Sequence, residues 1–297
     1  MSLHPDFFSC LFCGESLLNI TSENWVCLGC NHSYPVINNI PVLVKDWQSH
    51  NLELEKLSAI KPDWYQTEQD PEESSPWRHN HRKRRQYVES YIRNWLNKKE
   101  IEKVDHLLDL GCGDGNHLSY LEKFGRNIFG SDYNLVRLVR SSSRFPEATF
   151  FLADLLDYPA KQGFFDIIFF NHVIEHITDD CKALENIYRM LKPGGLIILG
   201  TPNEGAFWWQ LAYYIQPSMR QQTDHVQFYT AESLVQKMEL AGFNIIEIEH
   251  IGWGPPHFTL DSKIRRYKLV DDVFETLGRQ FFPKQASSLY ILATKKE

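Results

Sequence analysis

The stretch from Leu107 to Gly115 constrains the fold more than any other part of the chain. Its letters are LLDLGCGDG, an apolar run that ends in an acid and is followed by glycines at alternate positions. The run predicts a buried parallel strand, and the glycines predict a tight turn from that strand into a helix. Because glycine has no Cβ atom, the backbone of such a turn can lie close to a ligand. The stretch therefore predicts a ligand-binding strand-turn-helix unit.

The spacing and the charge of this turn indicate which ligand it binds. Its glycines are spaced GxGxG, whereas the dinucleotide fingerprint is GxGxxG. A pyrophosphate needs bare backbone N–H groups at a helix N-terminus, and Asp109 and Asp114 would repel it. The same two acids would attract an ammonium and a sulfonium group. We therefore expect the ligand to be S-adenosylmethionine (SAM).

The rest of the chain alternates short apolar runs with amphipathic stretches. Runs at 127–132, 148–152, 165–170 and 196–199 predict strands, and the stretch 181–191 has the three- and four-residue apolar intervals of a helix. We therefore expect an α/β fold with a doubly wound parallel sheet. Ligands of such sheets bind beyond the carboxyl ends of the strands.

Several polar side chains stand at those predicted strand ends. We expect Asp132 to accept hydrogen bonds from both ribose hydroxyls and Asp154 to accept one from the adenine amino group. Asp109 would orient the amino-acid end of the cofactor, and Tyr133 and Leu155 would flank the ribose and the purine. The alternative role for any single acid here is a helix cap. The full predicted cofactor-binding set is Asp109, Gly111, Cys112, Gly113, Asp132, Tyr133, Asp154, Leu155 and Asn171.

Two cysteine pairs near the N-terminus predict a metal site. The pairs are Cys10-x-x-Cys13 and Cys27-x-x-Cys30, separated by thirteen residues, which is the four-thiolate zinc pattern. Four thiolates leave no open coordination position, so we expect a structural zinc ion. A segment this short cannot bury a stable core alone, so metal binding would drive its folding. Disulfides and a redox CxxC are the alternatives.

Composition limits the class of protein and its location. The chain has 297 residues, a net charge of −7 and 43% hydrophobic residues, which is typical of a globular protein. The acidic charge argues against a general nucleic-acid binder. We find no signal-peptide pattern and no apolar run of transmembrane length, and cysteines clustered for metal suit a reducing compartment. We therefore expect a cytoplasmic protein.

Several motifs resemble those of class I SAM-dependent methyltransferases. They are the turn at 107–115, Asp132, Asp154, and the segments VIEHI at 173–177 and LKPGG at 191–195, and the resemblance covers residues 101–297. The segments at 225–230 and 241–243 are similar to the ubiquinone-biosynthesis-like branch of that family. The resemblance implies a Rossmann-like seven-stranded sheet that ends in an antiparallel hairpin of residues 243–251 and 288–294.

The first part of the chain resembles a second family. Together with the cysteine pairs, the segment from Tyr34 to Leu43 resembles the closing hairpin of Trm112-like zinc ribbons. Such ribbons occur alone as methyltransferase activators and fused to methyltransferase domains, so a structural role and a substrate-recognition role both remain open. We expect a zinc ribbon at 1–45, a linker at 46–76, and a methyltransferase domain at 77–297, with its core sheet from 101.

Two further segments suggest contact with a substrate. Arg82–Arg85 lie in the basic first part of a predicted amphipathic helix, and they would either contact phosphates or form a solvated face. The aromatic-rich insertion at 205–222 would cover the methyl acceptor as a lid, or would simply pack on the core. Its aromatic residues favour an apolar or flat acceptor, or an edge that faces a membrane.

Histidines after the fourth strand of the sheet are the candidate catalytic residues. The spacing of His172, Glu175 and His176 predicts one helical face, and His225 would join them from a later segment. His172, His176 and His225 are the candidate catalytic set. In one interpretation His172 contacts the cofactor or substrate, while Glu175 and His176 form the start of a helix. In another, a histidine is the general base that removes a proton from the acceptor. The 3′-terminal RNA ribose methyltransferases, which resemble this segment, bind a metal through ExxEH and a distal histidine. His172 replaces their first glutamate, which disfavours magnesium and leaves a softer divalent ion possible.

These features predict an enzyme that moves a methyl group from SAM to an oxygen or nitrogen. The expected acceptor is a small molecule or a sugar- or lipid-linked intermediate. The first alternative is an RNA methyltransferase in which the zinc ribbon and Arg82–Arg85 grip phosphates. The second alternative is a non-enzymatic module that holds the cofactor and binds a partner protein.

Overall fold

The computed structural model describes residues 7–21, 23–69, 72–215, 217–218, 220, 224–255 and 257–296. Parts of the predicted ribbon (1–6 and 22), linker (70 and 71) and lid (216, 219, 221 and 222) lie outside the described residues. The fold is mixed α/β, as predicted. Its strands are β1 (Leu17–Ile20), β2 (Asn24–Cys27), β3 (Ser33–Ile37), β4 (Ile40–Leu43), β5 (Val104–Leu110), β6 (Gly125–Asp132), β7 (Thr149–Ala153), β8 (Phe165–Asn171), β9 (Leu191–Pro202), β10 (Phe243–Ile251) and β11 (Ser288–Lys295).

The helices are unevenly distributed along the chain. They are α1 (Trp47–Ile60), α2 (Pro62–Tyr65), α3 (Arg78–Lys98), α4 (Leu118–Leu121), α5 (Leu135–Arg144), α6 (Asp180–Met190), α7 (Phe207–Ile215), α8 (Ala231–Leu240), α9 (Phe258–Ile264) and α10 (Lys268–Phe281). The segment that the sequence predicted as a linker therefore holds two helices, one of them fourteen residues long. None of the helices in the described part of the chain has both the length and the apolar character needed to cross a bilayer.

The chain forms two compact units, each built from separate segments. The first unit comprises Met1–Gln69, Glu102–Phe169 and Asn186–Gly195, and the second comprises Asp70–Ile101, Phe170–Glu185 and Leu196–Glu297. Strands β8 and β9 and helix α6 continue from one unit into the other along the chain.

The sheet of the first unit has the strand order β1-β2-β3-β4-β7-β6-β5-β8. Strands β1 to β4 pair antiparallel, whereas β4, β7, β6 and β5 pair parallel to one another. Parallel strands that are covered on both faces are rich in apolar residues, and Leu107, Leu108 and Leu110 of β5 are all buried. The predicted parallel sheet is therefore confirmed.

The hairpin β3–β4 packs in the same hydrophobic core as the GxGxG turn and β7. Val42 pairs with Leu152 and Leu43 with Ala153, so β4 lies parallel to β7. One buried cluster contains Ile40, Val42, Val44, Cys112, Leu118, Leu138, Phe150 and Leu152. The ribbon hairpin and the GxGxG turn thus contribute to the same hydrophobic core.

The second unit contains the predicted terminal hairpin. Strand β10 pairs antiparallel with β11, and β11 pairs antiparallel with β9 from Leu196 to Pro202. Strand β9 starts at Leu191, so it includes the LKPGG segment. Helix α3 buries Val88, Ile92 and Leu96, which recur every four residues on its apolar face.

Candidate functional site

The GxGxG turn links β5 to α4 in the first unit. Gly111, Gly113 and Gly115 have φ angles of +76°, +53° and +80°. This left-handed backbone strains residues with a Cβ atom, so the turn requires its glycines.

Four of the five backbone N–H groups in this turn (residues 111–115) are hydrogen bonded within the protein. The N–H groups of Gly111 and Cys112 donate to the carbonyl oxygen of Ser131 at 2.7 and 3.0 Å. The N–H of Gly113 donates to Asp132 Oδ2 at 2.8 Å, and that of Gly115 donates to the Cys112 carbonyl at 2.9 Å. A pyrophosphate at this turn would find none of these donors available, in line with the expectation that the turn does not bind one.

Asp109 offers the group that a cationic ligand needs. Its side chain is 1% exposed, and its Oδ2 atom is buried without a hydrogen-bond partner. Burial, together with the charge of Asp132, raises the pKa of the Asp109 carboxyl well above its usual range. A buried acceptor without a partner is costly, and an ammonium group would satisfy it. This carboxylate therefore fits the amino-acid end of SAM.

Asp132 and Tyr133 follow at the end of β6. Asp132 Oδ2 accepts from Gly113 and its Oδ1 accepts from the Asn134 N–H at 2.8 Å. Each carboxylate oxygen has a second lone pair, so both can also accept from ribose hydroxyls. The Tyr133 hydroxyl donates to Glu53 at 3.0 Å.

Asp154 and Leu155 follow β7. Asp154 Oδ1 accepts from the Leu156 N–H at 2.8 Å and caps a 3₁₀ turn over Leu155–Asp157. This is the capping role that the sequence left open for such acids, and it occupies one of the carboxylate's two oxygens. The Leu155 carbonyl accepts from the Asn186 side chain at 2.8 Å.

Asp114 does not have the role that the sequence predicted for its charge. The carboxylate is buried, and it lies 3.5 Å from Arg137 Nε and 3.4 Å from Arg140 Nη1. It also accepts from the Gln69 N–H at 3.0 Å. Two guanidinium groups neutralise this acid, so of the two acids in the turn only Asp109 presents an uncompensated carboxylate.

Helix α1 supplies contacts that the sequence analysis missed. His50 Nε2 donates to the carbonyl oxygen of Tyr133 at 2.9 Å, and the two rings lie 3.9 Å apart between centroids. The signal for this helix was present, because Asp46 caps it by accepting from the N–H groups of Gln48 and Ser49. The high polarity of the segment concealed this packing role.

The four cysteines converge in the first unit. The Sγ atoms of Cys10 and Cys30 lie 3.5 Å apart, and those of Cys13 and Cys27 lie 3.3 Å apart. These distances are too long for disulfides, and they are close to the spacing of about 3.8 Å between sulfurs around a tetrahedral zinc ion. All four ligand atoms lie within 4.8 Å of one another. The cluster thus fits a zinc ribbon.

The chemistry of the first ligand also suits a metal. Burial raises the pKa of the Cys10 thiol, but hydrogen bonds from Tyr34 and from backbone N–H groups outweigh burial and lower this pKa to about 6. The thiolate is the form that binds metal, so the surroundings of Cys10 favour the ligand form of this one cysteine.

The histidine segment of the second unit is not the predicted helical face. His172 has a φ angle of +54°, and only a 3₁₀ turn over Ile174–His176 follows it. His172 Nδ1 nevertheless donates to Glu175 Oε1 at 3.2 Å, and Thr201 donates to the other Glu175 oxygen at 3.1 Å. The three- and four-residue spacing predicted a helix, but a single tight turn also satisfies this spacing.

Glu175 is the centre of this cluster, which we call the histidine cluster (His172, Glu175, His176 and His225). Burial raises the pKa of the Glu175 carboxyl, but the hydrogen bond from His172 and the histidine charges bring it below its usual value. The rings of His176 and His225 are 5.0 Å apart. Ligand atoms of Glu175, His176 and His225 lie within 4.8 Å of one another, and His172 stands outside that group.

Asn171 precedes the histidine cluster at the end of β8, in the second unit. A Cβ atom on Gly200 would lie 2.0 Å from the Asn171 side-chain oxygen. Position 200 therefore requires glycine to admit this amide. The other eight predicted cofactor-binding residues lie in the first unit.

Two of the basic residues near the start of α3 form ion pairs with carboxylates. Lys83 lies 2.6 Å from Asp271, and Arg85 lies 2.8 Å from Glu89. Arg82 is exposed. Arg82–Arg85 therefore do not form a continuous phosphate-binding face within the second unit.

Comparison with known proteins also indicates a methyltransferase domain. A family model described as a methyltransferase domain matches residues 78–248. A probable SAM-dependent methyltransferase of Mycolicibacterium smegmatis is 24% identical over 57% of this chain and 66% of its own length. The ubiquinone biosynthesis O-methyltransferase of Coxiella burnetii is 26% identical over 68% of this chain and 86% of its own length.

The matched part is shorter in other relatives, and the structural likeness agrees on the fold. The chain spans 66% of the length of the Mycolicibacterium relative, and only 32–37% of several further curated methyltransferases. A solved complex between the Haloferax volcanii Trm112 methyltransferase activator and its candidate methyltransferase matches with a TM-score of 0.51 and 18% identity, over 66% of this chain and 84% of that one. This chain belongs to the methyltransferase-domain family.

Proposed function

We propose that this protein transfers a methyl group from SAM to an oxygen or nitrogen of a small molecule, or of a sugar- or lipid-linked intermediate. The observation that carries the proposal is the pairing of Asp109 with the GxGxG turn. Gly111, Cys112, Gly113 and Gly115 use their N–H groups for internal hydrogen bonds, while Asp109 presents a buried oxygen without a partner. Such a site suits a ligand that carries an ammonium and a sulfonium group.

The transfer itself is an in-line displacement. The acceptor oxygen or nitrogen forms a bond to the methyl carbon while the bond between that carbon and the sulfonium sulfur breaks. The sulfur keeps the electron pair and leaves as a neutral thioether, and the acceptor loses a proton. Holding the acceptor aligned in a dry cleft supplies most of the catalysis, because the methyl group is already activated.

The histidine cluster is our candidate for handling the acceptor and its proton. His172, His176 and His225 each carry an imidazole, the most common general base in enzymes. Burial lowers the pKa of His225, which keeps this ring neutral and able to take a proton. In the metal alternative, Glu175, His176 and His225 would hold a divalent ion, since their ligand atoms converge and two of them are imidazoles.

Calorimetry tests the binding of SAM, and a chelation assay tests the role of the histidine cluster. SAM should bind the wild-type protein, and Asp132→Ala should weaken that binding. If SAM does not bind, the methyltransferase proposal is wrong. Once an acceptor is found, removal of metal from zinc-loaded protein distinguishes a metal from a base, with His176→Ala and His225→Ala as controls because both imidazoles belong to the converging ligand group. Loss of activity in the wild type alone would support the metal.

We also propose that the four cysteines hold a structural zinc ion, and that the protein works in a reducing compartment such as the cytoplasm. The described cysteines are free thiols, and the ribbon hairpin shares a core with the GxGxG turn. This arrangement favours the structural role of the ribbon over substrate recognition. Elemental analysis should find one zinc per chain, and Cys13→Ser with Cys30→Ser should abolish it.

The lipid-linked class of acceptor has support from exposed apolar side chains. Leu269, Val273, Leu277 and Phe281 recur every four residues on α10, and each is exposed. Tyr214 of α7 is also exposed.

The RNA alternative has less support, because ion pairs occupy Lys83 and Arg85. Salt-dependent RNA binding that weakens on replacing Arg82 and Arg84 would revive it.

A further inference from the structure

Arg84 is a largely buried cation of α3 that forms no ion pair with any of the residues that the structure describes. Its neighbours in sequence, Lys83 and Arg85, form ion pairs with carboxylates. Arg84 donates instead to the Ser288 hydroxyl at 2.7 Å, and its Nη1 lies 3.4 Å from His172 Nε2. Its Nε atom is buried without a hydrogen-bond partner. Within the described residues, no carboxylate forms an ion pair with this guanidinium.

A second unsatisfied donor lies one helical turn before it. Asn80 is 2% exposed, and its Nδ2 atom is buried without a hydrogen-bond partner. Residues four apart share one face of a helix, so Asn80 and Arg84 face the same side of α3. A Cβ atom on Gly252 would come within 2.8 Å of both Asn80 Nδ2 and Ser287 Oγ, so the amide lies directly beside Gly252 and Ser287. Ser288, the next residue, contacts Arg84.

We call Asn80, Arg84 and Ser288 the α3 donor set, in which Asn80 Nδ2 and Arg84 Nε have no hydrogen-bond partner. Arginine stays charged in proteins and donates only. The acids that influence Arg84, Glu72 and Glu275, act through the electrostatic field and not through an ion pair. A buried positive charge without a counter-ion is costly, so its retention points to a ligand that supplies one.

The donor set adjoins the histidine cluster. Because Arg84 cannot accept, His172 Nε2 must carry the lone pair toward it, and Nδ1 then carries the hydrogen bonded to Glu175. The His172 side chain is 34% exposed, so a ligand can reach this edge of the donor set. An anion bound to Arg84 would thus lie beside the residue that we assign to the methyl acceptor.

We propose that the α3 donor set binds an anionic group, a carboxylate or a phosphate, of the methyl acceptor. The role in methyl transfer rests on the proposed function above, whereas the binding of an anion does not. Planar guanidinium and amide donors match the oxygens of both anions. The acceptor is therefore an acid or a phosphorylated compound, and a neutral analogue would bind less tightly.

Anion binding to the full-length protein tests this inference without any acceptor. The probes are inorganic phosphate, followed by ³¹P NMR, and benzoate, followed by saturation-transfer NMR, at constant ionic strength so that screening does not change. At least one anion should bind the wild type saturably. Asn80→Asp places a carboxylate next to Arg84 with no change in shape, so it should weaken binding about tenfold or more. Arg84→Met should do the same.

Two matched variants separate the site from general charge and from folding. Arg84→Lys keeps the charge but loses the planar fork, and should weaken binding by a smaller factor than Arg84→Met. Arg82→Met removes an exposed charge from the same helix and should leave binding unchanged. The melting temperature and near-UV circular dichroism of each variant report its folding, because the substituted residues lie in the second unit. The affinity for SAM, measured in the same variants, tests the proposed function separately.

The outcomes decide the proposal. Saturable binding that is lost in Asn80→Asp and retained in Arg82→Met supports it, and the preferred probe shows whether the anion is a carboxylate or a phosphate. Equal anion affinity in the wild type and in Asn80→Asp would overturn it. So would the lack of saturable binding of either anion to a wild-type protein that binds SAM.

Discussion

Asp109 and Asp114 carry the same charge five residues apart, yet their surroundings are opposite. Asp114 is neutralised by Arg137 and Arg140, whereas Asp109 has a buried oxygen without a partner. The sequence predicted that both acids face the ligand, because partners so distant along the chain as Arg140 leave no local pattern. Only the fold separates the structural acid from the candidate binding acid.

Asp109→Asn should weaken SAM binding without destabilising the protein. The asparagine keeps the shape but loses the charge that would meet the ammonium group, so we expect the SAM affinity to fall about tenfold to a hundredfold in calorimetry. Asp105→Asn, on the same strand, is the control, because Asp105 is exposed and pairs with Arg126. Unchanged SAM affinity in Asp109→Asn would remove Asp109 from the site.

The same carboxyl should make the SAM-free protein less stable as the pH rises. Burial and Asp132 raise its pKa in the folded state, so the unfolded chain releases this proton first. The free energy of unfolding therefore declines once the pH exceeds the unfolded pKa of about 3.9. Urea titrations at several pH values should show this decline in the wild type and a smaller one in Asp109→Asn. Identical pH profiles would contradict the shift.

At the scale of elements, helices α1 and α2, which follow the ribbon, lie within the first compact unit. Asn134 illustrates how they are held. Its Oδ1 caps α5 through the N–H of Val136 at 2.9 Å, and its Nδ2 donates to the carbonyl of Tyr65 in α2 at 2.9 Å. The sequence predicts such a cap from its residue type, but it does not predict the tether to a residue 69 positions away.

Two substitutions at this position separate the cap from the tether. Asn134→Ala removes both, and should lower the free energy of unfolding by about 1–2 kcal/mol. Asn134→Asp keeps the cap and loses only the donor to Tyr65, so it should cost less. Chemical denaturation measures both variants. If the two variants cost the same, the tether carries the whole effect.

Zinc removal should affect the strand next to the cofactor residues. Strand β4 pairs with β7 up to Ala153, and Asp154 follows at once. Loss of the metal would loosen the hairpin β3–β4, so amide exchange in Ile40–Leu43 should accelerate and the SAM affinity should fall several-fold. Readdition of zinc is the control. An unchanged SAM affinity in metal-free protein would mean that the ribbon does not support this edge.

At the scale of the whole molecule, the order of elements was predictable and the contacts between distant segments were not. Apolar periodicity and the glycine turn predicted the parallel sheet, and the resemblance implied the terminal hairpin of β10 and β11. The role of α1 beside Tyr133, the ion pairs of Asp114 and the donor set on α3 depend on tertiary packing. None of these has a local sequence signature, because each joins segments far apart in the chain.

SAM binding should protect one unit of the molecule selectively. At a SAM concentration of a hundred times Kd, the free energy of unfolding should rise by about 2.7 kcal/mol. Hydrogen exchange should slow in the GxGxG turn, in the end of β6 and in α1, which contain or contact the predicted cofactor residues. Helix α10 serves as the internal reference and should not change. Equal slowing of exchange in α10 would contradict a site at the GxGxG turn, because eight of the nine predicted cofactor-binding residues lie in the first unit and Asn171 alone lies in the second.

The internal hydrogen bonds of the GxGxG turn also bear on competition between metabolites. ATP and NAD share the adenosine half of SAM, but they carry phosphates where SAM carries methionine. At this turn their phosphates would lose water without gaining the N–H groups of Gly111, Cys112, Gly113 and Gly115, and they would meet the Asp109 carboxylate. We therefore expect the occupancy of the SAM site to follow the ratio of SAM to its demethylated product. The concentrations of ATP and NAD should not affect this occupancy.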